Sequence, residues 1–164
     1  MDLLRAFDEH HATVFRFAYR LTGSAADAED IVQACFLELL RPDCSYDPDR
    51  APLHNWLFGV ARNQALKRFR QRGITLVPET SGAQSPEHEI LRGELERIVR
   101  QAVLTLPEPQ REVLILAHYE QLPLAQVAAI IGIEVGAVKS RLQRARAKLR
   151  DALATYASKV EQKR

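Results

Sequence analysis

Leu124-Ala125-Gln126-Val127-Ala128-Ala129-Ile130-Ile131-Gly132-Ile133-Glu134-Val135-Gly136-Ala137-Val138-Lys139-Ser140-Arg141-Leu142-Gln143-Arg144-Ala145-Arg146-Ala147-Lys148-Leu149 is the run that decides how this chain is read. A helix-turn-helix needs a small residue where two helices cross, a glycine in the turn, and a β-branched residue anchoring the second helix. Ala128, Gly132 and Val138 supply these at spacings of 4 and 6, with Val127, Ile131 and Ile133 filling the space between. The second helix is expected over about Val135–Tyr156. In it Val138, Leu142, Ala145 and Leu149 stand at i, i+4, i+7 and i+11, a single inward stripe. Ser140, Gln143, Arg144 and Ala147 then point away, with Lys139, Arg146 and Arg150 on one shoulder and Arg141 and Lys148 on the other. Short polar groups between two rows of cations suit a major groove, where the centre meets base edges and the shoulders meet phosphates. An ordinary solvated helix mixes in acids, and none occurs here from Lys139 until Asp151.

Working outward, the remainder also reads as helix. Leu95–Leu106 is helical, Pro107-Glu108-Pro109 punctuates, and Gln110–Glu120 is a strongly apolar helix through Val113, Leu114, Leu116 and Ala117. Gly73 to Gly93 carries Pro78, Pro86, serines and glycines, with no amphipathic period before Ile90, and is read as a linker. At the other end, a first helix over about Leu3–Leu21 aligns Val14, Phe17, Ala18 and Leu21, and Gly23 stops it. Ser24 caps a second helix to about Leu40, with Asp27 in capping-box position and Ala28, Ile31, Val32, Cys35 and Leu39 inward. Pro42 and Pro48 bound a polar loop. Pro52 then opens a third helix to Arg72, its apolar stripe Leu53, Trp56, Leu57 and Val60, with Asn55, Arg62, Asn63 and Arg70 on another face. Nothing alternates with period two. The expected fold is all-α, with a three- to four-helix domain over 1–73, a flexible linker over 74–93 and a helix-turn-helix domain over 94–160.

Charge says where these halves meet partners. The chain has 164 residues with 23 Lys plus Arg against 21 Asp plus Glu, so its net charge of +2 is uninformative. The distribution is not. Arg62, Lys67, Arg68, Arg70 and Arg72 fall within eleven positions without an acid, and Lys139–Arg150 repeats the pattern. Two basic stretches on a nearly neutral chain point to two contacts with a polyanion. Two cysteines, Cys35 and Cys44, make no disulfide framework. Asp2, Arg5 and Asp8 interrupt any secretory signal, and no apolar run approaches the ~18 residues of a membrane span. A cytoplasmic protein with reduced thiols and no membrane insertion is expected. Cys44, His10 and His11 complete no metal-ligand spacing, so neither metal nor cofactor is expected.

Taken together, these residues resemble the extracytoplasmic-function sigma factors of bacterial RNA polymerase, over nearly the whole chain. Asp27-Ala28-Glu29-Asp30-Ile31-Val32-Gln33-Ala34-Cys35-Phe36 is similar to the family's acidic second helix. Trp56-Leu57-Phe58-Gly59-Val60-Ala61-Arg62-Asn63 is similar to its promoter-opening helix. Leu106-Pro107, Arg111-Glu112-Val113-Leu114, Gly136-Ala137-Val138-Lys139-Ser140-Arg141-Leu142 and Arg144-Ala145-Arg146 resemble its C-terminal helix-turn-helix.

The resemblance implies partners and roles. Region 2 (1–73) would dock on the clamp helices of the polymerase's largest subunit through Asp27, Glu29, Asp30, Gln33 and Phe36, and region 4 (94–160) on the flap. The loop from Arg41 to Pro52 and the helix after it would melt the −10 element and capture a flipped base. Asn55, Arg62 and Asn63 would offer hydrogen-bonding edges there, while Lys67, Arg68, Arg70 and Arg72 hold phosphates. Lys139, Ser140, Gln143 and Arg144 would read the −35 duplex, with Arg141, Arg146 and Lys148 on its backbone. Trp56, in the apolar stripe, is expected to pack in the core rather than stack on a base. An anti-sigma factor is the further partner implied.

The chain departs from the pattern at Ala137, where many members have Thr, at Gln126-Val127-Ala128 for Glu-Ile-Ala, and at Lys67 for a common Asp. These changes bear on promoter sequence rather than on fold. Two other readings compete. A stand-alone helix-turn-helix regulator explains the C-terminal half but not the acidic and Asn-bearing helices before it. An all-α enzyme centred on Cys44, His10 or His11 lacks a nucleophile–base pair, a metal signature and a phosphate loop.

Overall fold

A computed structural model describes residues 1–73 and 90–162, with backbone alone for 90–92. The elements are α1 (Leu3–Thr22), α2 (Ala25–Leu40), α3 (Leu53–Arg72), α4 (Ile90–Leu104), α5 (Glu108–Leu114), a π-helical turn (Ile115–Tyr119), α6 (Leu124–Ile131) and α7 (Val135–Glu161). Among the described residues there is no strand. Most of the stretch read as a linker lies outside the described residues, but its end is already helix, since α4 starts at Ile90.

Local chemistry sets the helix ends. The Asp2 carboxylate accepts from the Leu4 and Arg5 amides to start α1, and Gly23 at φ 73° closes it by donating its N–H to the Tyr19 carbonyl. Ser24 Oγ accepts from the Asp27 amide to start α2. Asp27 does not complete the reciprocal capping box. Its carboxylate turns inward to Arg72 at the far end of α3.

The first three helices share one core. Phe17 and Leu21 of α1, Ile31 and Cys35 of α2, and Leu57, Phe58, Ala61 and Ala65 of α3 are all buried, with Phe17 and Phe58 rings 4.9 Å apart. Each large apolar side chain removed from water contributes about 1.5–3 kcal/mol. The stripe of α3 is rotated from the sequence expectation: Leu57 is central, but Leu53, Trp56 and Val60 are only half-buried. The buried face is Leu57, Phe58, Ala61 and Ala65, and Trp56 stays at its edge, where the indole N–H donates to Ser45 Oγ at 3.3 Å, beside the Tyr46 ring. Trp56 therefore fastens the 41–52 loop onto α3.

In the second half, Pro107 caps α5 and Pro109 sits in its first turn, where a missing N–H costs nothing. The helix expected over Gln110–Glu120 thus starts two residues early. It then widens into the π-helical turn, where the Glu120 N–H reaches back to the Ile115 carbonyl, and ends at Gln121 with φ 52°. Gly132, at φ 80°, ends α6 and turns the chain into α7. Val138, Leu142 and Ala145 are buried beneath α7, and Leu149 is half-buried. The helix runs to Glu161, five residues beyond expectation.

The two halves pack on one another. α1 meets α4 and the π-helical turn, and α3 meets α6. Their buried residues form one continuous cluster.

Candidate nucleic-acid interface

The buried stripe of α7 fixes its phase, and the phase fixes what it offers to solvent. Lys139, Ser140, Gln143, Arg144, Arg146, Lys148 and Arg150 are all exposed along it. Arg141 differs: it is half-buried, with Nη1 at 3.7 Å from Glu112 Oε1 on α5. The shoulder it was expected to share with Lys148 is therefore partly turned into the domain.

The residues read from α3 divide into two groups. Asn63, Lys67 and Arg70 are exposed. Arg72 gives its guanidinium to the buried Asp27 carboxylate, with Arg68 Nε at 3.9 Å from the same group. The other group faces the second half. Arg62 donates to Glu112 from Nε at 2.6 Å and from Nη2 at 3.2 Å. Asn55, 6% exposed, donates from Nδ2 to Gln126 Oε1 at 3.1 Å, while its own Oδ1 is buried without a partner. So the structure brings Asn63, Lys67 and Arg70 to one surface and takes Asn55 and Arg62 to another.

The acidic helix is similarly divided. Glu29, Asp30 and Gln33 are exposed on α2, whereas Asp27 and Phe36 are buried, Phe36 lying 4.9 Å from the Phe7 ring. Beside Glu29 and Gln33 runs an open groove of about 500 Å³, lined by Phe7, Phe15, Arg16 and Val32 among others. The 41–52 loop is structured by its own side chains: Arg41 grips the Asp43 carboxylate at 2.9 and 3.0 Å, and Asp47 Oδ1 accepts from the Asp49 amide.

Reading the sequence missed the residues that join the halves. Arg111, 2% exposed, donates to the carbonyls of Leu21 at 2.8 Å, Leu104 at 2.7 Å and Leu106 at 2.9 Å. Arg20 lies over the Tyr119 ring at 4.4 Å and 3.6 Å from Glu120. A signal was present: Arg111-Glu112 is a charged pair opening a strongly apolar helix, where neither charge can stay unpaired.

Burial pushes the Cys35 thiol up to about 12, which leaves it inert as a nucleophile. Among the described residues no three His, Cys, Asp or Glu side chains gather as a metal site. No helix among them is long and apolar enough to cross a membrane.

Two family models match the chain, Sigma-70 region 2 over residues 6–74 and Sigma-70, region 4 over residues 96–149. The ECF RNA polymerase sigma factor SigL of Mycobacterium tuberculosis is 38% identical over 147 residues, covering 85% of this chain and 82% of that protein. The ECF RNA polymerase sigma factor SigE of Mycolicibacterium smegmatis is 32% identical over 162 residues, which is 94% of this chain but 62% of the longer relative. Among solved structures, CnrH in complex with the cytosolic domain of CnrY aligns with a TM-score of 0.71 at 27% identity, over 93% of this chain and 88% of that one.

Proposed function

This chain belongs to the extracytoplasmic-function sigma factors, and from that premise we propose an alternative sigma factor that binds core RNA polymerase and directs initiation at its own set of promoters. The observation that carries the reading is a pair of basic, DNA-suited helices on separate halves: α7 with its acid-free exposed row, and α3 with Asn63, Lys67 and Arg70 in the open. Region 4 takes the −35 duplex in the major groove, Lys139, Ser140, Gln143 and Arg144 on bases, Arg146 and Lys148 on phosphates. Arg141, steadied by Glu112, sets the helix more than it reads. Region 2 opens the −10 element, Asn55, Asn63 and Arg62 supplying edges for unpaired bases and Lys67, Arg68, Arg70 and Arg72 holding the strand. Glu29, Asp30 and Gln33, beside the apolar groove, are the contact offered to the polymerase clamp helices. The chain acts in the cytoplasm, performs no chemistry of its own, and is held in check by an anti-sigma factor.

The test is transcription with sigma-free core polymerase on a genomic promoter library. Specific start sites that core alone does not give support the reading. In that assay Lys139→Ala with Arg144→Ala abolishes −35-dependent initiation and leaves core binding intact. Binding to duplex DNA without any binding to core would instead make this a stand-alone regulator, a reading that leaves the region 2 match over residues 6–74 without a purpose.

A further inference from the structure

Asp27 stands in the first turn of an acidic helix, yet it is 5% exposed and offers little to a partner protein. Its neighbours Glu29 and Asp30 are exposed. Both Asp27 oxygens face the far end of α3. Arg72 donates to Oδ2 from Nη1 and to Oδ1 from Nη2, the latter at 2.8 Å, and Arg68 Nε lies 3.9 Å from Oδ1.

Arg68 and Arg72 are four positions apart on one helix, a spacing at which like charges repel. Asp27 is the counter-charge that lets both sit on one face. Arg68 is further steadied by Gln64, donating from Nη1 to its carbonyl and its side-chain oxygen, each at 3.4 Å. The Arg72 side chain, although gripped, is 64% exposed. A guanidinium carries five N–H donors, and an end-on grip through both Nη atoms takes two of them. The same group can therefore serve a carboxylate and a phosphate together. A long side chain ordered before its ligand arrives does not have to be ordered on binding. Lys67 and Arg70 add exposed cations over the same two turns, so the surface stays positive around the buried acid.

We propose that Asp27 is a positioning residue for the promoter strand: it presets Arg72 and Arg68 on the phosphate path at the end of α3, and is not itself a contact to the polymerase. This rests on the sigma reading above. The sign of the effect separates positioning from bulk electrostatics. Removing an acid beside a polyanion site strengthens binding when only net charge counts. Losing the positioning weakens it.

The test assembles the full chain with core polymerase. Fluorescence anisotropy then follows binding of the holoenzyme to the single-stranded −10 segment of a promoter mapped in the library. Asp27→Asn is used at a temperature where its denaturation curve shows it folded. It is expected to bind that strand on the order of tenfold more weakly, while its affinity for core stays within about twofold of the parent. Equal or tighter strand binding overturns the proposal. So does a parallel loss of core affinity, which would make Asp27 a polymerase contact or a tie of the fold alone. Arg72→Ala is expected to show the same loss, with little added by Asp27→Asn on top of it, because one residue acts through the other. Losses that multiply in the double variant overturn the proposal. If Asp27→Asn does not fold, Arg72→Lys decides, since it keeps the charge without the fork. Weaker strand binding by that variant supports positioning, and parental binding overturns it. A parent chain that forms no holoenzyme defeats the sigma reading and this proposal together. A parent that initiates beside an unaffected Asp27→Asn defeats this proposal alone.

Discussion

The carboxylate of Asp27, at the start of α2, is clasped by the guanidinium of Arg72 at the end of α3, with Nη2 2.8 Å from Oδ1. The acid is buried and the arginine side chain is 64% exposed, so the pair ties the end of α3 to the start of α2. Asp27→Asn keeps the shape and removes the charge. It is expected to lower stability by about 1–3 kcal/mol, because a charge-assisted pair is lost and a buried amide is left in its place. The exposed neighbours serve as controls: Glu29→Gln and Asp30→Asn should stay within about 0.5 kcal/mol of the parent. Chemical denaturation of the three variants checks this. If Asp27→Asn behaves like the other two, its place is a surface contact and not a tie within the fold.

Arg111 closes three carbonyls at once, those of Leu21, Leu104 and Leu106. Burial lowers its affinity for a proton, and nearby Glu108 works the other way. Arg111→Lys keeps the charge but replaces a planar fork by a single ammonium, which cannot reach the same three acceptors. Both Arg111→Lys and Arg111→Ala are expected to destabilise the chain by more than about 2 kcal/mol, each leaving buried carbonyls unmet. A lysine variant with parental thermal stability would show that only charge matters at this point.

These two residues also mark what the sequence could tell. The α7 face was legible because one apolar stripe, Val138 to Leu149, sets the phase of everything around it. The phase of α3 was not, because its apolar residues lie on more than one side and one of them, Trp56, has a polar errand at Ser45. Asp27, Phe36, Asn55 and Arg62 sit on faces that local periodicity marks as outward or shared. Their partners lie elsewhere in the chain: Arg62 to Glu112 spans 50 positions, Asn55 to Gln126 spans 71 and Arg111 to Leu21 spans 90. No period of 3.6 residues reports such pairings. The π-helical turn over Ile115–Tyr119 was equally silent, since its apolar residues fit an ordinary α-helical period.

Glu120, 3.6 Å from Arg20 of the other half, gives the packing of the two halves a pH signature. Burial pushes its carboxyl up from the ordinary 4.5, and Arg20 and Arg16 oppose that in part. Above about pH 4.5 the unfolded chain has released this proton while the folded chain still holds it, so this group's contribution to stability falls as pH rises through that window. Glu120→Gln has no proton to release. The stability of the parent relative to Glu120→Gln is therefore expected to decline as pH rises above the ordinary carboxylate value, and not below it. Denaturation curves for both proteins below and above that value decide it, and a flat difference would mean the carboxylate is already at ease where it lies.

Gly23 and Gly132 both end helices with positive φ, 73° and 80°. In either place a side chain pays the left-handed penalty, about 1–2 kcal/mol for alanine. Their surroundings differ. A Cβ on Gly132 meets nothing within 4 Å, whereas on Gly23 it would come 2.8 Å from Cδ1 of Leu104, a residue of the other half. Gly132→Ala is thus expected to cost the backbone strain alone, and Gly23→Ala that strain plus the displacement of the Leu104 methyls. Leu104→Ala removes those methyls, so the double variant Gly23→Ala/Leu104→Ala should be more stable than the two single costs predict. Such coupling is the mark of residues in contact. It belongs to the packing of one half on the other, and a double-mutant cycle that finds it shows the halves together in solution. Strict additivity would place Leu104 away from Gly23, and the two halves would then not pack there in solution.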